Sequence, residues 1–362
     1  MTTVKLYDGE KQDFLDNYPV LTKFISGDAS KPLVAFIPGL AHNARISYGG
    51  HHKSHSEDFI AHWFHEHGYG FLGISYPLET DPEIMPPTGR ELSLRDWGKQ
   101  AAKAMKKVVD EHEVSSKVVI LAWSMGGKIL EAVTVEAKAL GLTVSLFVSL
   151  AATPALWGLR RPVQQSHAIL TPAGYWDNRF LHGRFLSQLA EQNQLNDGRT
   201  IIDESVYKRE YFGATPGGSG GWGFRYSTKE RKLIEDKWAL LEEGRVDNYG
   251  NLPAMAAISP TSPLDWRHSM TDNINWSYLI IHKFVVDAQK IKETRKASIS
   301  EMDVLEHLKA FIYEIPDRMI TDIEGNHFFF VGAKGAKQTA EIVIRFMQEA
   351  ENIQTKFENL RM

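Results

Sequence analysis

Four short apolar, β-branched runs separated by stretches of helical spacing set the strongest limit on how this 362-residue chain folds. They are LVAFI at 33–37, YGFLGISYP at 69–77, SSKVVILA at 115–122 and TVSLFVSLAA at 143–152. Runs of this length with little polar alternation read as strands buried on both faces. Between the first two, a helix from about Glu57 ends near Gly68, places Phe59, Ile60, Trp63 and Phe64 on one face, and has Ser54 or Ser56 as its cap. The stretch LSLRDWGKQAAKAMKKVVDEHE carries Ser93 and Asp96 at capping-box spacing, and a third helix runs from Gly126 to about Leu140. This alternation predicts the α/β class: a mostly parallel sheet with helices on both faces.

The rhythm stops between Thr153 and Asn275, a segment that holds five of the nine tryptophans, namely Trp157, Trp176, Trp222, Trp238 and Trp266. An unstructured loop of that length inside a compact sheet is improbable, so the segment is expected to form its own layer. We expect residues 153–275 to be an inserted, mainly helical cap, with RKLIEDKWALLEE as one helix and PGGSGGWG as a flexible link. Residues 1–152 and 276–362 then form the core. Sheet rhythm is expected to resume with WSYLIIHKF as a strand, followed by a helix over Ser300–Ile312, a short strand at RMITDIE and a last helix over Ala336–Ala350.

Composition excludes several classes. Forty-one basic and 45 acidic residues give a net charge of -4, with no like-charge block of the kind that binds nucleic acid or a membrane surface. With no cysteine, disulfides, thiolate zinc sites and a cysteine nucleophile are all absent. The N-terminal stretch lacks an apolar leader and no run is long enough for a bilayer, so a cytoplasmic protein without a membrane span is expected.

Ser124 stands where the third strand gives way to a helix, in the pattern Ala122-Trp123-Ser124-Met125-Gly126. That is one residue from the G-x-S-x-G elbow, whose tight turn lifts a hydroxyl above the sheet and needs small residues two before and two after it. A serine needs a base and the base needs an orienting carboxylate. His327 in DIEGNHFFFVG supplies the first, and Asp287, after the expected strand WSYLIIHKF, the second, with Asp265 and Glu293 as alternatives. At these residues the chain resembles the α/β-hydrolase fold superfamily over roughly residues 30–152 and 276–350. The resemblance implies an oxyanion hole from the backbone N–H groups of Leu40, after Pro38-Gly39, and Met125. Pro-Gly stands where the family often has His-Gly, Lys283 where Gly is common after the strand's last histidine, and Asn326 where Gly often precedes the catalytic histidine.

Four further residues are candidates for touching substrate: His42, Trp123, Tyr76 and Trp157. Seven of the 14 histidines fall between Ala41 and Gly68, but His51, His52 and His55 lack the carboxylate spacing of a zinc motif, so no metal is expected. No cofactor is implied, and the glycine stretch lacks the Gly-Lys-Ser/Thr of a phosphate loop. The expected function is a serine hydrolase acting on an ester, lactone or related acyl bond of a hydrophobic small molecule through an acyl-enzyme. Rival readings are an acyltransferase, a cofactor-free lyase or an aminopeptidase using the same site, and a non-catalytic small-molecule receptor. Caps of this kind can pair, which makes a homodimer one expectation.

Overall fold

The computed structural model describes residues 6–157, 159, 169–220, 223–236, 238–294 and 301–361. Its eight-stranded sheet has the order β1-β2-β4-β3-β5-β6-β9-β10. The strands are β1 Glu10–Leu15, β2 Tyr18–Ile25, β3 Leu33–Ile37, β4 Phe71–Ser75, β5 Lys117–Trp123, β6 Thr143–Leu150, β9 Met255–Pro260 and β10 Ile320–Ile323. From β4 to β10 all neighbours are parallel, as the alternation predicts. β1 and β2 form an antiparallel hairpin that joins the edge at β4. The four runs identified in sequence are β3 to β6, and their central residues are fully buried.

The helices are α1 Arg45–Tyr48, α2 Ile60–Glu66, α3 Leu94–His112, α4 Leu130–Ala139, α5 His182–Leu195, α6 Glu204–Val206, α7 Ala239–Gly244, α8 Trp266–Thr294, α9 Glu301–Met319 and α10 Ala333–Arg361. The capping box of α3 forms as expected, with the Ser93 side chain accepting from the Asp96 N–H and the Asp96 carboxylate accepting from the Ser93 N–H. Neither Ser54 nor Ser56 caps α2, because a 3-10 turn over Ser56–Asp58 precedes it and Phe59 is its N-cap. None of these helices is long and apolar enough, among the described residues, to cross a membrane.

WSYLIIHKF is helix, not strand. Asp272, Trp276, Leu279, Ile280, Phe284 and Ala288 recur at three- and four-residue spacing along α8 and are its buried face, with the Trp276 ring 6.0 Å from Phe147 of β6. A short apolar run does not by itself separate a buried strand from a helix stripe. The strand that resumes the sheet is β9, which starts 21 residues before Trp276 in a proline-flanked MAAISP, so the chain rejoins the sheet at Met255.

The intervening segment carries α5 to α7 and a small hairpin, β7 Phe224–Ser227 with β8 Lys232–Glu235. RKLIEDKWALLEE is thus strand in its first half and helix only from Ala239. Gly217–Gly220 is a buried 3-10 turn and not a flexible link: a Cβ on Gly218 would lie 2.8 Å from the Leu92 carbonyl oxygen. Trp222 lies outside the described residues.

The N-terminal hairpin is clasped to the loop that follows β3. The buried Glu10 carboxylate accepts from Arg45 Nε at 2.8 Å, Arg45 Nη2 at 2.7 Å and Tyr48 Oη at 2.9 Å. The Arg45 guanidinium also lies 3.8 Å from the Tyr7 ring centroid. Removing one member of a buried charge pair leaves the other unpaired and costs about 3–5 kcal/mol. Glu10→Ala should therefore lower the stability of the folded protein by about that amount in urea titrations, whereas Lys11→Ala, at an exposed pair, should shift it by less than about 1 kcal/mol.

Candidate active site

β3 and β5 are adjacent, and the connections leaving their carboxyl ends run to opposite sides of the sheet. Such a switch point opens a crevice where open α/β sheets bind ligands. Ser124 follows the last residue of β5 directly and has φ 55°, in the left-handed region where a non-glycine residue is strained. Its backbone carbonyl accepts from the Thr153 N–H at 2.9 Å, tying the turn to the end of β6. The turn leaves little room: a Cβ on Gly126 would come within 3.0 Å of the Ile37 and Pro38 carbonyl oxygens, and one on Gly39 within 2.6 Å of the Ser124 Cβ. Those two glycines allow the loop after β3 to lie against the serine.

His327 follows β10 by four residues and is buried. Its Nδ1 is 2.7 Å from Asp265 Oδ2, and Asp265, fully buried, ends a 3-10 turn just after β9. Because a carboxylate only accepts, Nδ1 carries the proton and Nε2 is the nitrogen left for a reacting group. The carboxylate partner of His327 is therefore Asp265, not Asp287. Asp287 lies 21 residues into α8, about 30 Å along the helix at 1.5 Å per residue, and is ion-paired with Lys283 and Lys290. Glu293, the other alternative, has a side chain outside the described residues.

The two loops bearing Asp265 and His327 are tied together. Ser262 N–H donates to the Gly325 carbonyl at 2.8 Å. From α5, Glu191 accepts from Ser262 Oγ at 2.8 Å and from Asn326 Nδ2 at 2.6 Å. Asn326, where the family often has glycine, thus anchors the residue before the histidine. Trp123 Nε1 donates to the His327 carbonyl at 2.8 Å, so the residue before Ser124 also holds the loop of His327.

Leu40, Ser124, Met125 and His327 line one cavity of about 50 Å³. Leu181 and Phe185 form an apolar part of its wall, and Lys128, Arg184, Arg267 and His268 a charged and polar part. Sequence reasoning did not single out these last four, because their spacing matches no local motif. Of the residues expected to touch substrate, Trp123, Tyr76 and His42 are fully buried and do not line the cavity, and the exposed Trp157 does not line it either.

Tyr76 and His42 instead brace the turn after β3. Tyr76 Oη donates to the Gly39 carbonyl at 2.9 Å and accepts from the Ala41 N–H at 3.1 Å. His42 Nδ1 donates to the Leu40 carbonyl at 2.7 Å, which leaves Nε2 to accept from Tyr207 Oη at 2.7 Å. Burial among Trp123, Phe185, Phe212 and Phe328 lowers the His42 pKa to about 3, so the ring is neutral.

Ligand atoms of Asp265, His268 and His327 lie within 4.8 Å of one another, a grouping with the donor types of a metal site. Their chemistry fits one poorly. Asp265 Oδ1 accepts from Arg184 at 3.3 Å, His268 Nδ1 donates to Asp272 at 3.0 Å, and Arg267 stands against His268 Nε2. Two guanidinium groups beside the donors oppose a dication. His51, His52 and His55 form no such group among the described residues; His51 is bonded to Tyr211 Oη.

The chain matches no protein-family model and no curated sequence. Among solved structures it superposes on a thermophilic esterase from Thermogutta terrifontis with a TM-score of 0.51 at 10% identity, covering 94% of this chain and 98% of that one. A meta-cleavage product hydrolase follows at a TM-score of 0.48 and 11% identity, with 94% and 98% covered. An esterase from Rhodococcus sp. ECU1013 gives 0.47 and 12%, again with 94% and 98% covered. With the sheet order and the turn at Ser124, the Thermogutta superposition shows that the chain has the α/β-hydrolase fold.

The neutral His42 has a consequence for acid stability. Unfolded, a histidine titrates near 6.5, whereas His42 in the fold titrates at about 3. Between these values the unfolded chain binds a proton that the folded one lacks, so this contribution to stability is complete above about pH 6.5 and declines as pH falls toward 3. His42→Gln should flatten the dependence of urea-derived stability on pH in that window by up to about 1.4 kcal/mol per pH unit.

Proposed function

We propose that the protein is a serine hydrolase that cleaves an ester, lactone or related acyl bond. Ser124 Oγ attacks the acyl carbon while His327 Nε2 takes its proton, and Asp265 fixes the imidazole tautomer and stabilises the cation that forms. The N–H groups of Leu40 and Met125 receive the oxyanion, each contributing on the order of 3 kcal/mol at the transition state. Collapse of the tetrahedral intermediate breaks the bond to the leaving group, which departs with the proton from His327. Water, deprotonated by the same nitrogen, then attacks the acyl-serine, and the acid and free Ser124 hydroxyl are released. The 2.7 Å bond from Asp265 to a buried histidine that shares a cavity with a strained serine carries this reading.

We take residues 151–254 as the cap, since they leave the sheet after β6 and return at β9, and since Leu181 and Phe185 bring apolar surface to the cavity. An aminopeptidase is disfavoured, because Lys128, Arg184 and Arg267 in the wall would repel a free amine.

The test is covalent labelling by a small fluorophosphonate, read by intact mass, with acetyl-ester turnover in parallel. Wild type and Asp287→Asn should label at similar rates and Ser124→Ala not at all. Labelling of His327→Ala and Asp265→Asn should slow by roughly 10²–10⁴-fold. Failure of folded wild type to label or turn over, or labelling of Ser124→Ala equal to wild type, would reject the hydrolase reading.

A further inference from the structure

Among the described residues, the cavity at Ser124 is lined by three cationic side chains and no carboxylate. The acids nearest the two arginines stand behind the wall. Asp265 meets Arg184 at 3.3 Å from the far side of the His327 ring bond, and Asp272 reaches Arg267 only through His268. Arg267 is held by neutral groups: both Nη atoms donate to Thr153 Oγ1 at 3.0 Å, and Nη2 donates to His268 Nε2, whose Nδ1–H is fixed by Asp272. Among the described residues it makes no hydrogen bond to a carboxylate. Lys128, also buried, donates to the Gly220 carbonyl at 2.6 Å. Burying a guanidinium without a direct carboxylate partner is costly, and burial lowers the Arg267 pKa from its ordinary value although Asp272 and Asp265 attract it from a distance. A charge placed so, next to a nucleophile, is matched by an anion on the ligand.

We propose that the substrate of Ser124 carries a carboxylate, held by Arg184 and Arg267 close to the carbonyl under attack. The planar fork of a guanidinium matches a carboxylate in two parallel hydrogen bonds. Arg184, Arg267 and Ser124 line one narrow cavity, so the anion and the scissile carbonyl are separated by only a few bonds. Of the two anions a guanidinium fork takes in this way, the flat carboxylate is the smaller and suits a narrow cavity better than a tetrahedral phosphate. This makes the substrate a half-ester or lactone acid, with Leu181 and Phe185 against its apolar part. The assignment rests on the hydrolase reading for its chemistry but not for the binding of the anion.

The experiment has two arms on the full chain. In the first, hydrolysis of monomethyl succinate and methyl butyrate is followed by acid release. The kcat/KM ratio of the anionic over the neutral ester should exceed about 10, should fall at least tenfold in Arg267→Gln and in Arg184→Gln, and should be retained in part by Arg267→Lys. The half-exposed Arg184 keeps the test open should Arg267→Gln fail to fold. In the second, calorimetry with succinate should show one site on Ser124→Ala that Arg267→Gln loses, and inorganic phosphate should compete at least tenfold more weakly. Labelled Ser124 with a ratio of one or below, a ratio unmoved by both substitutions, or phosphate competing as well as succinate would overturn the carboxylate assignment and leave the hydrolase reading standing. Without labelling or turnover the hydrolase reading fails, and succinate binding alone then decides the anion site.

Discussion

The left-handed backbone of Ser124 is the constraint around which the rest of the site is built. A non-glycine residue stays in that conformation only where its surroundings over-determine it. Here the surroundings are the parallel strands β3 and β6 on either side of β5, the Thr153 N–H on the serine carbonyl and the close approach of Gly39 and Gly126. The same approach carries Leu40 and Met125 to the cavity beside Ser124, where the proposed mechanism uses their N–H groups. Tyr76 and His42 then fix the loop after β3 from behind through uncharged hydrogen bonds.

Base and acid are held by ties between loops of different strands. Trp123 grips the His327 carbonyl, Glu191 bridges the loops after β9 and β10, and Asp265 closes the set through its bond to the imidazole. Arg184 and Glu191 share α5, so one helix of the inserted segment touches both the charged wall and the loops of the dyad. Because Asp265 accepts from His327 through one oxygen and from Arg184 through the other, the imidazole and the proposed anion subsite are joined through one carboxylate.

Sequence reading recovered the parts encoded by local pattern. Strands β3 to β6 and the capping box at Ser93 each rest on a few contiguous residues. The acid was misplaced because the apolar run at Trp276 has a stripe that fits either element, and assigning it as a strand moved the expected loop from Asp265 to Asp287. The β1–β2 hairpin went unnoticed since EKQDFL is polar and half exposed, and what secures it is a contact between Glu10 and Arg45 across 35 residues. Arg184 and Arg267 meet only in the fold, 83 residues apart in sequence, and carry no spacing that a linear reading could detect.

The bond from Trp123 Nε1 to the His327 carbonyl spans 204 residues, and its consequence is entropic. Closing so long a stretch of chain and freezing a histidine loop are costs met once, when the protein folds. Serine and imidazole thereafter belong to one rigid body whose mutual orientation does not have to be found again at each turnover. For the proton exchange proposed between them, that standing alignment acts as a high effective concentration of base at the serine.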